Sequence, residues 1–476
     1  MGIEDPLETE SLLRPSTHPI AKSHNTTRAR KKRGCDCSVS YRVILAWILS
    51  SAVTLLHAHR ALYSQSFSPE GLDGDSYTLD KQLIMAAFYV GYALAAVPGG
   101  RAAERLGGKD VLLCAMLTWC CTNFFIPLFT DRLPLLVASR LVLGLAEGGM
   151  MPCCLHLVSM WFPESERTRA MCFIFSGVEV GTLLVLGFMP AVHGQQDGAG
   201  RDPTTFDWDN SFYIFGSLGL LWCLAHWALT SSTPEWHPRI SLPEVQHITK
   251  ERTLPTRLLD ISQRDSVRWS RLVWDDASLT PIYVVHFSSA LVWHLLLLWL
   301  PTYLRLRFAL AVEEIALYMA LPCASSLCAS LGASWICDAL VKKGVPALKV
   351  RRAMTLLGML GPALALQLLQ FARSAGAALA VLTPLVALCG LAPKAGYLSH
   401  IVDVAPNHSG IVMGMACSVS VLPSIMSNMI PQGAFHTLML ELNGAWSFMF
   451  AVCSFFLIGG SAVFVMGSTD DSAWLN

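Results

Sequence analysis

The sequence predicts an all-α membrane protein with twelve spanning helices arranged as two six-helix halves. Three observations predict it: a composition too apolar for a water-soluble core, twelve long apolar runs, and connecting loops whose positive charge alternates from side to side. Apolar residues make up 53% of the 476-residue chain and charged residues 14%, where a soluble domain carries about a quarter charged. Lipid is the natural solvent for such a chain, since each helical span needs about 20 apolar residues. The runs lack period-two alternation, which excludes a transmembrane β-barrel.

The runs cover 43–65, 82–102, 110–130, 133–157, 169–192, 211–230, 279–303, 314–340, 353–372, 376–396, 409–430 and 445–467. At about 1.5 Å rise per residue and with modest tilt, each crosses a bilayer. Residues 1–41 are a polar tail without the apolar core of a signal peptide, and its acidic start argues against a transit peptide. Within it, Glu8, Leu12 and Leu13 fit the acidic dileucine pattern that sorting adaptors read, which points to an endolysosomal, vacuolar or plasma membrane. Cys35 and Cys37 follow a basic run, where palmitoylation is conceivable.

Loop charge sets the orientation. Arg28, Arg30, Lys31, Lys32 and Arg33 precede the first span; Arg105 and Lys109 lie between spans 2 and 3; Arg167 and Arg169 lie between spans 4 and 5. Lys342, Lys343, Lys349, Arg351 and Arg352 lie between spans 8 and 9, and the opposite loops hold few such residues. The positive-inside rule then places both termini in the cytoplasm. The longest internal loop, 231–278, is polar, contains four prolines and carries Arg239, Lys250, Arg252, Arg257, Arg264, Arg268 and Arg271. It divides the chain into a half of residues 42–230 and a half of residues 279–467, with a short tail at 468–476. Two six-span halves joined by a cytoplasmic linker is a plan of secondary transporters.

The formal net charge is zero, so no bulk field draws nucleic acid. There is no Walker pattern, metal-ligand cluster or nucleophile elbow. The expectation is a carrier rather than an enzyme, with no cofactor or metal, driven by an ion gradient or by membrane potential. The 15 cysteines show no metal spacing or regular framework, and most read as small buried hydrophobes.

Two loops repeat a layout of glycine, acid and base. The first runs from Gly99 and Gly100 through Glu104, Arg105 and Gly108 to Lys109; the second runs from Gly332 through Asp338 to Lys342 and Lys343. Glycine permits close helix approach and tight turns, and an acid beside basic residues can latch an inner gate. In the fourth run Arg140 and Glu147 are seven residues apart, two turns along one helical face. Gly144 and Gly148 give that helix a small-residue packing face. Charges inside a bilayer are costly and face a bundle interior or a wet cavity; a structural pair that fixes packing is the alternative. Arg60, near the end of the first run, lies at a depth similar to Arg140. Two guanidiniums on one cavity would attract an anion through their planar forks, whereas a snorkelling Arg60 would not. Glu179 in the fifth run stands alone, as a buried protonated acid or part of a proton path. His286 and His294 read as hydrogen-bonded packing residues, and Pro301, Thr302 and Tyr303 as the end of the seventh span.

At these residues the chain resembles the anion:cation symporter branch of the major facilitator superfamily, solute carrier family 17. That group includes sodium/phosphate cotransporters, plant and algal anion transporters, sialin and vesicular glutamate transporters. The resemblance spans about residues 42–467. It rests on Arg60, on Phe88 to Tyr92 with Pro98 to Gly100, on Arg140 to Pro152 with Trp161 and Glu166 to Ala170, on Trp299 to Tyr303, and on Asp403 to Pro406 with Gly410 and Gly414. It implies the major facilitator fold, anion binding at Arg60 and Arg140, proton or cation coupling through Glu147, and Asp403 in the gate. The chain departs from the family pattern at Met85, Ser289, Glu104, His400-Ile401 and Glu179, the last standing where a neutral amide is common. The stretch from Val350 to Pro362 looks closest to the phosphate-type plant and algal members.

The leading expectation is a secondary transporter of a small inorganic or organic anion, phosphate or carboxylate, coupled to protons or sodium. A carrier of a neutral or cationic solute, or a non-transporting sensor of the same fold, are the alternatives.

Overall fold

A computed structural model describes residues 40–66, 75–129, 132–193, 208–250, 279–429 and 444–470. The sorting signal at Glu8, Leu12 and Leu13, the basic run Arg28 to Arg33, Cys35 and Cys37, and linker residues 251–278 lie outside the described residues.

Twelve helical segments among the described residues are long and apolar enough to cross a membrane. In chain order they are α1 (Tyr41–Ala61), α2 (Gln82–Leu106), α3 (Gly108–Phe129), α4 (Leu133–Trp161), α5 (Glu164–Gly187), α6 (Asn210–Leu229), α7 (Thr280–Leu297), α8 (Glu314–Lys342), α9 (Ala347–Leu369), α10 (Ala375–Val404), α11 (Ser409–Met426) and α12 (Trp446–Gly467). Large apolar side chains such as Leu94, Leu224, Phe455 and Met466 point outward, exposed, as a lipid solvent requires.

Helix pairing repeats after six helices. In the first half α1 packs on α5, α2 on α4 and α3 on α6; in the second α7 packs on α11, α8 on α10 and α9 on α12. The halves meet through α2 against α11 and α5 against α8, a pair of contacts that exchange under the same repeat. Glycines set the closest approaches. A methyl group added at Gly144 or Gly148 would overlap the carbonyl oxygen of Phe88 or Tyr92 on α2, so the small-residue face of α4 has α2 as its partner.

Several boundaries differ from the periodicity reading, each for an identifiable reason. The loops expected between spans 4 and 5 and between spans 8 and 9 are largely helical: α5 begins at Glu164 and α9 at Ala347. Their charged first turns mimic loop composition, yet Arg167 and Arg351 are buried because carboxylates from other helices receive them. The seventh helix does not end at Pro301 but continues to Phe308. Tyr303 holds the extension by donating to the Leu369 carbonyl at 3.2 Å and packing on Trp446 and Phe450. The tenth helix continues past residue 396 to Val404, through a wide π-turn at Ala392–Tyr397. Between α2 and α3, Gly107 takes φ +101°, the left-handed conformation the short turn requires.

The linker begins as an ordered strap. Its helix Leu242–Lys250 sends Glu244 to the start of α1, where the carboxylate accepts from the Ser40 hydroxyl and from the backbone N–H groups of Tyr41 and Arg42. An acid at a helix N-terminus satisfies unpaired donors and complements the helix dipole.

Candidate functional site

Two charged centres lie in the bundle, and a third set of charges closes it at the end bearing the basic loops. The first centre is built on α1 and α4. Glu147 is 1% exposed, and its Oε2 accepts from the Arg60 guanidinium at 2.5 Å. Its Oε1 accepts from the Trp119 indole N–H at 2.9 Å, which brings α3 into the site. The Arg60 guanidinium also lies over the faces of Phe88 and Tyr92, 5.1 and 5.2 Å from the ring centroids. Cation–π contact and one carboxylate oxygen that accepts from both Nε and Nη2 together hold one planar group. Arg140 is buried on the same helix as Glu147, two turns away. The seven-residue spacing aligns these two, but the guanidinium found on Glu147 comes from α1. A carboxylate buried this deeply calls for a partner wherever in the chain that partner lies. Arg60 is thus engaged inside the bundle, and its side chain remains 31% exposed.

The second centre was half legible. Glu179 is not solitary: the Lys394 ammonium sits 2.5 Å from its Oε1, and both side chains are 5% exposed. The Ser326 hydroxyl donates to the same oxygen at 3.0 Å, and Ser330 lies 3.4 Å from Lys394. The pair joins α5 of the first half to α10 of the second, with α8 supplying both hydroxyls. Lys394 sits in the π-turn, near the expected end of an apolar run, so composition alone gave it no weight. One signal existed: two lone opposite charges in different apolar runs are each costly unless they meet.

His294 donates from Nδ1 to the Ala290 carbonyl at 2.7 Å, and its Nε2 lies 2.9 Å from the Ser424 hydroxyl. His286 reaches the Tyr397 hydroxyl at 3.2 Å. Both make the hydrogen bonds a packing role needs.

At the basic-loop end the acids of the repeated loops cross to the opposite half. Glu104, at the end of α2, accepts from the Ile411 N–H of α11 at 2.8 Å; His408 and Arg101 flank it at 3.3 and 3.5 Å. Asp338, near the end of α8, accepts from Arg169 of α5 at 2.8 Å through the guanidinium and 3.2 Å through the backbone N–H. Asp403 takes Arg167 of α5 at 2.7 Å and Arg351 of α9 at 2.9 Å. Arg351 further donates to Thr168 at 2.9 Å and to the Ala395 carbonyl at 3.2 Å. Of the bases in these loops, Arg101 lies beside the acid of its own loop, while Asp338 is met from the other half. Lys109 donates to the Trp227 carbonyl at 2.9 Å within the first half, Arg105 is exposed, and Arg169 takes the place of Lys342 and Lys343 on Asp338. Gly100 meets the Gly410 backbone across the halves, whereas Gly108 packs on Leu157 of its own half and Gly332 borders open space.

Comparison with known proteins agrees with this architecture. The family model described as Major Facilitator Superfamily matches residues 44–428. The chain is 31% identical over 399 residues to the probable anion transporter 4, chloroplastic, of Oryza sativa subsp. japonica; the match covers 82% of this chain and 62% of that protein, so the chain spans about three-fifths of that relative's length. It is 26% identical over 431 residues to the sodium-dependent phosphate transport protein 1, chloroplastic, of Arabidopsis thaliana, covering 90% of this chain and 80% of that one. Among solved structures it is similar to the proton:xylose symporter XylE bound to 6-bromo-6-deoxy-D-glucose, with a TM-score of 0.71 at 15% identity, over 89% of this chain and 94% of that one. At that identity the likeness speaks for the fold.

Proposed function

The chain belongs to the Major Facilitator Superfamily, and from that premise we propose that it is a secondary active transporter of a small anion, phosphate or carboxylate, coupled to protons or sodium. The observation that carries this reading is the Arg60–Glu147 pair with Arg140 buried on the same helix. A guanidinium held by a carboxylate inside a bundle is poised for exchange: an incoming anion competes for the same planar donors, and Glu147 then takes a proton or cation. The names of the anion and phosphate transporters above support the same substrate class. Glu179 is a second coupling candidate. Glu104, Asp338 and Asp403 serve as the inner latch, with both termini on the cytoplasmic side.

Purified protein in liposomes, offered labelled phosphate and small carboxylates under imposed pH, sodium and voltage gradients, tests the proposal. Arg140→Lys keeps the charge and loses the fork, so anion affinity is expected to fall by about tenfold or more. Arg140→Ala is expected to abolish uptake. Full anion uptake by Arg140→Ala at equal reconstitution would remove the main reason for assigning an anion.

A further inference from the structure

We propose that the Glu179–Lys394 pair is a second proton-coupling centre of the carrier beside Glu147, and that it ties one proton to one monovalent anion by keeping the charge of its own site unchanged on closure. This rests on the anion-carrier reading and deepens it.

Three observations lead there. The pair bridges the halves at their α5–α8–α10 contact, the contact that must loosen when a two-half carrier changes access. Glu179 Oε2 is buried without a hydrogen-bond partner, while Oε1 takes both Lys394 and Ser326. An orphaned acceptor in a buried carboxylate is a place for a proton. Third, Lys394 is wired to the latch. Arg351, which holds Asp403, also holds the carbonyl of Ala395, the next residue along the π-turn. Glu179 stands ten residues beyond Arg169 on α5, about 15 Å deeper than the latch.

Charge conservation supplies the stoichiometry. With the site empty, Glu179 is an anion and Lys394 a cation, so the pair sums to zero. When Glu179 takes a proton from the open aqueous side at Oε2, the carboxyl becomes neutral and the Lys394 ammonium is left alone. A monovalent anion bound in the core restores zero. The two intermediate occupancies each leave one uncompensated charge: anion without proton, or proton without anion. A closed, low-dielectric core penalises such a charge, so the halves close around both or neither. Other titratable or charged groups around the pair are His57 of α1, packed beside Gly181; Cys323 of α8, donating to the Glu179 carbonyl; Cys172 of α5, beside Ala395; and Arg351, already neutralised by Asp403. None of them adds a second carboxylate to share the proton.

The test uses two measurements on reconstituted full-length protein. The first is uptake of labelled ascorbate, a monovalent anion near neutral pH, driven by an acid-outside gradient. Wild type is expected to concentrate it. Glu179→Gln, fixed in the neutral state, is expected to lose accumulation by about tenfold or more while still exchanging ascorbate at a reduced rate, and the Glu179→Gln/Lys394→Met double variant to lose accumulation altogether. The second needs no anion: hydrogen–deuterium exchange of α8 and α10, corrected for intrinsic rate. In wild type it is expected to rise as pH falls, and in Glu179→Gln to stay high at every pH. Accumulation by the double variant, or pH-independent exchange in wild type, overturns the proposal. Ascorbate uptake absent in wild type, with phosphate and carboxylate uptake also absent, instead overturns the anion reading and leaves the exchange result to decide the pair.

Discussion

The buried carboxylate of Glu147 is satisfied by two residues that its own helix could not reveal, Arg60 of α1 and Trp119 of α3. Arg60→Ala strands that carboxylate and is expected to destabilise the protein by about 3–5 kcal/mol, read as a fall in the thermal unfolding midpoint in detergent. The double variant Arg60→Ala/Glu147→Gln is expected to recover most of that stability and none of the anion uptake. Recovery of both would make the pair structural only. The sequence singled out Arg60, Arg140, Glu147 and Glu179 because a charge in an apolar run is conspicuous. It did not single out Lys394 or Trp119: the first sits near the end of a run and the second is an indole among many apolar residues. Pairing is a property of helices far apart in the chain, and periodicity within one helix carries no trace of it.

At the scale of helices, the proposed inner latch is an exchange of acids between halves. The recurrence of glycine and acid at equivalent places was legible in the sequence. Their partners were not, because Arg167, Arg169 and Arg351 looked like loop charges until α5 and α9 were seen to begin earlier. Glu104→Ala removes the acceptor for the Ile411 N–H, and Asp338→Ala removes the acceptor for Arg169. Each is expected to shift the protein toward the inward-facing state and to change transport rate more than substrate preference, checked by labelling of cysteines introduced along the α2–α11 and α5–α8 contacts. Gly100→Ala places a methyl group on the Gly410 backbone and is expected to hold the same end apart, as neither Gly108→Ala nor Gly332→Ala should. Equal labelling of Gly100→Ala and wild type would show that the approach of these two glycines does not limit closure.

For the whole molecule, twelve spans and two halves were readable from apolar runs and from the placement of one polar loop. The proposed orientation rests on loop charge. Cysteines introduced at Ser16 and Asp471, both beyond the described residues, are expected to react only from the cytoplasmic side, and labelling of either from outside intact cells would reverse the topology. The pairing of α1 with α5, α2 with α4 and α3 with α6, repeated six helices later, could not be read from runs alone, because an apolar run says that a helix is buried in lipid and not which neighbour it meets. The Glu179–Lys394 bond also has a consequence for inheritance. Its members lie 215 positions apart, so a mutation at one of them leaves a lone charge in the core until the other follows. Lineages should therefore keep or lose the two charges together, and lysine at position 394 opposite an uncharged residue at 179 should be rare. A survey of homologous sequences in which lysine at 394 occurs as often beside apolar residues as beside glutamate at 179 would remove that constraint.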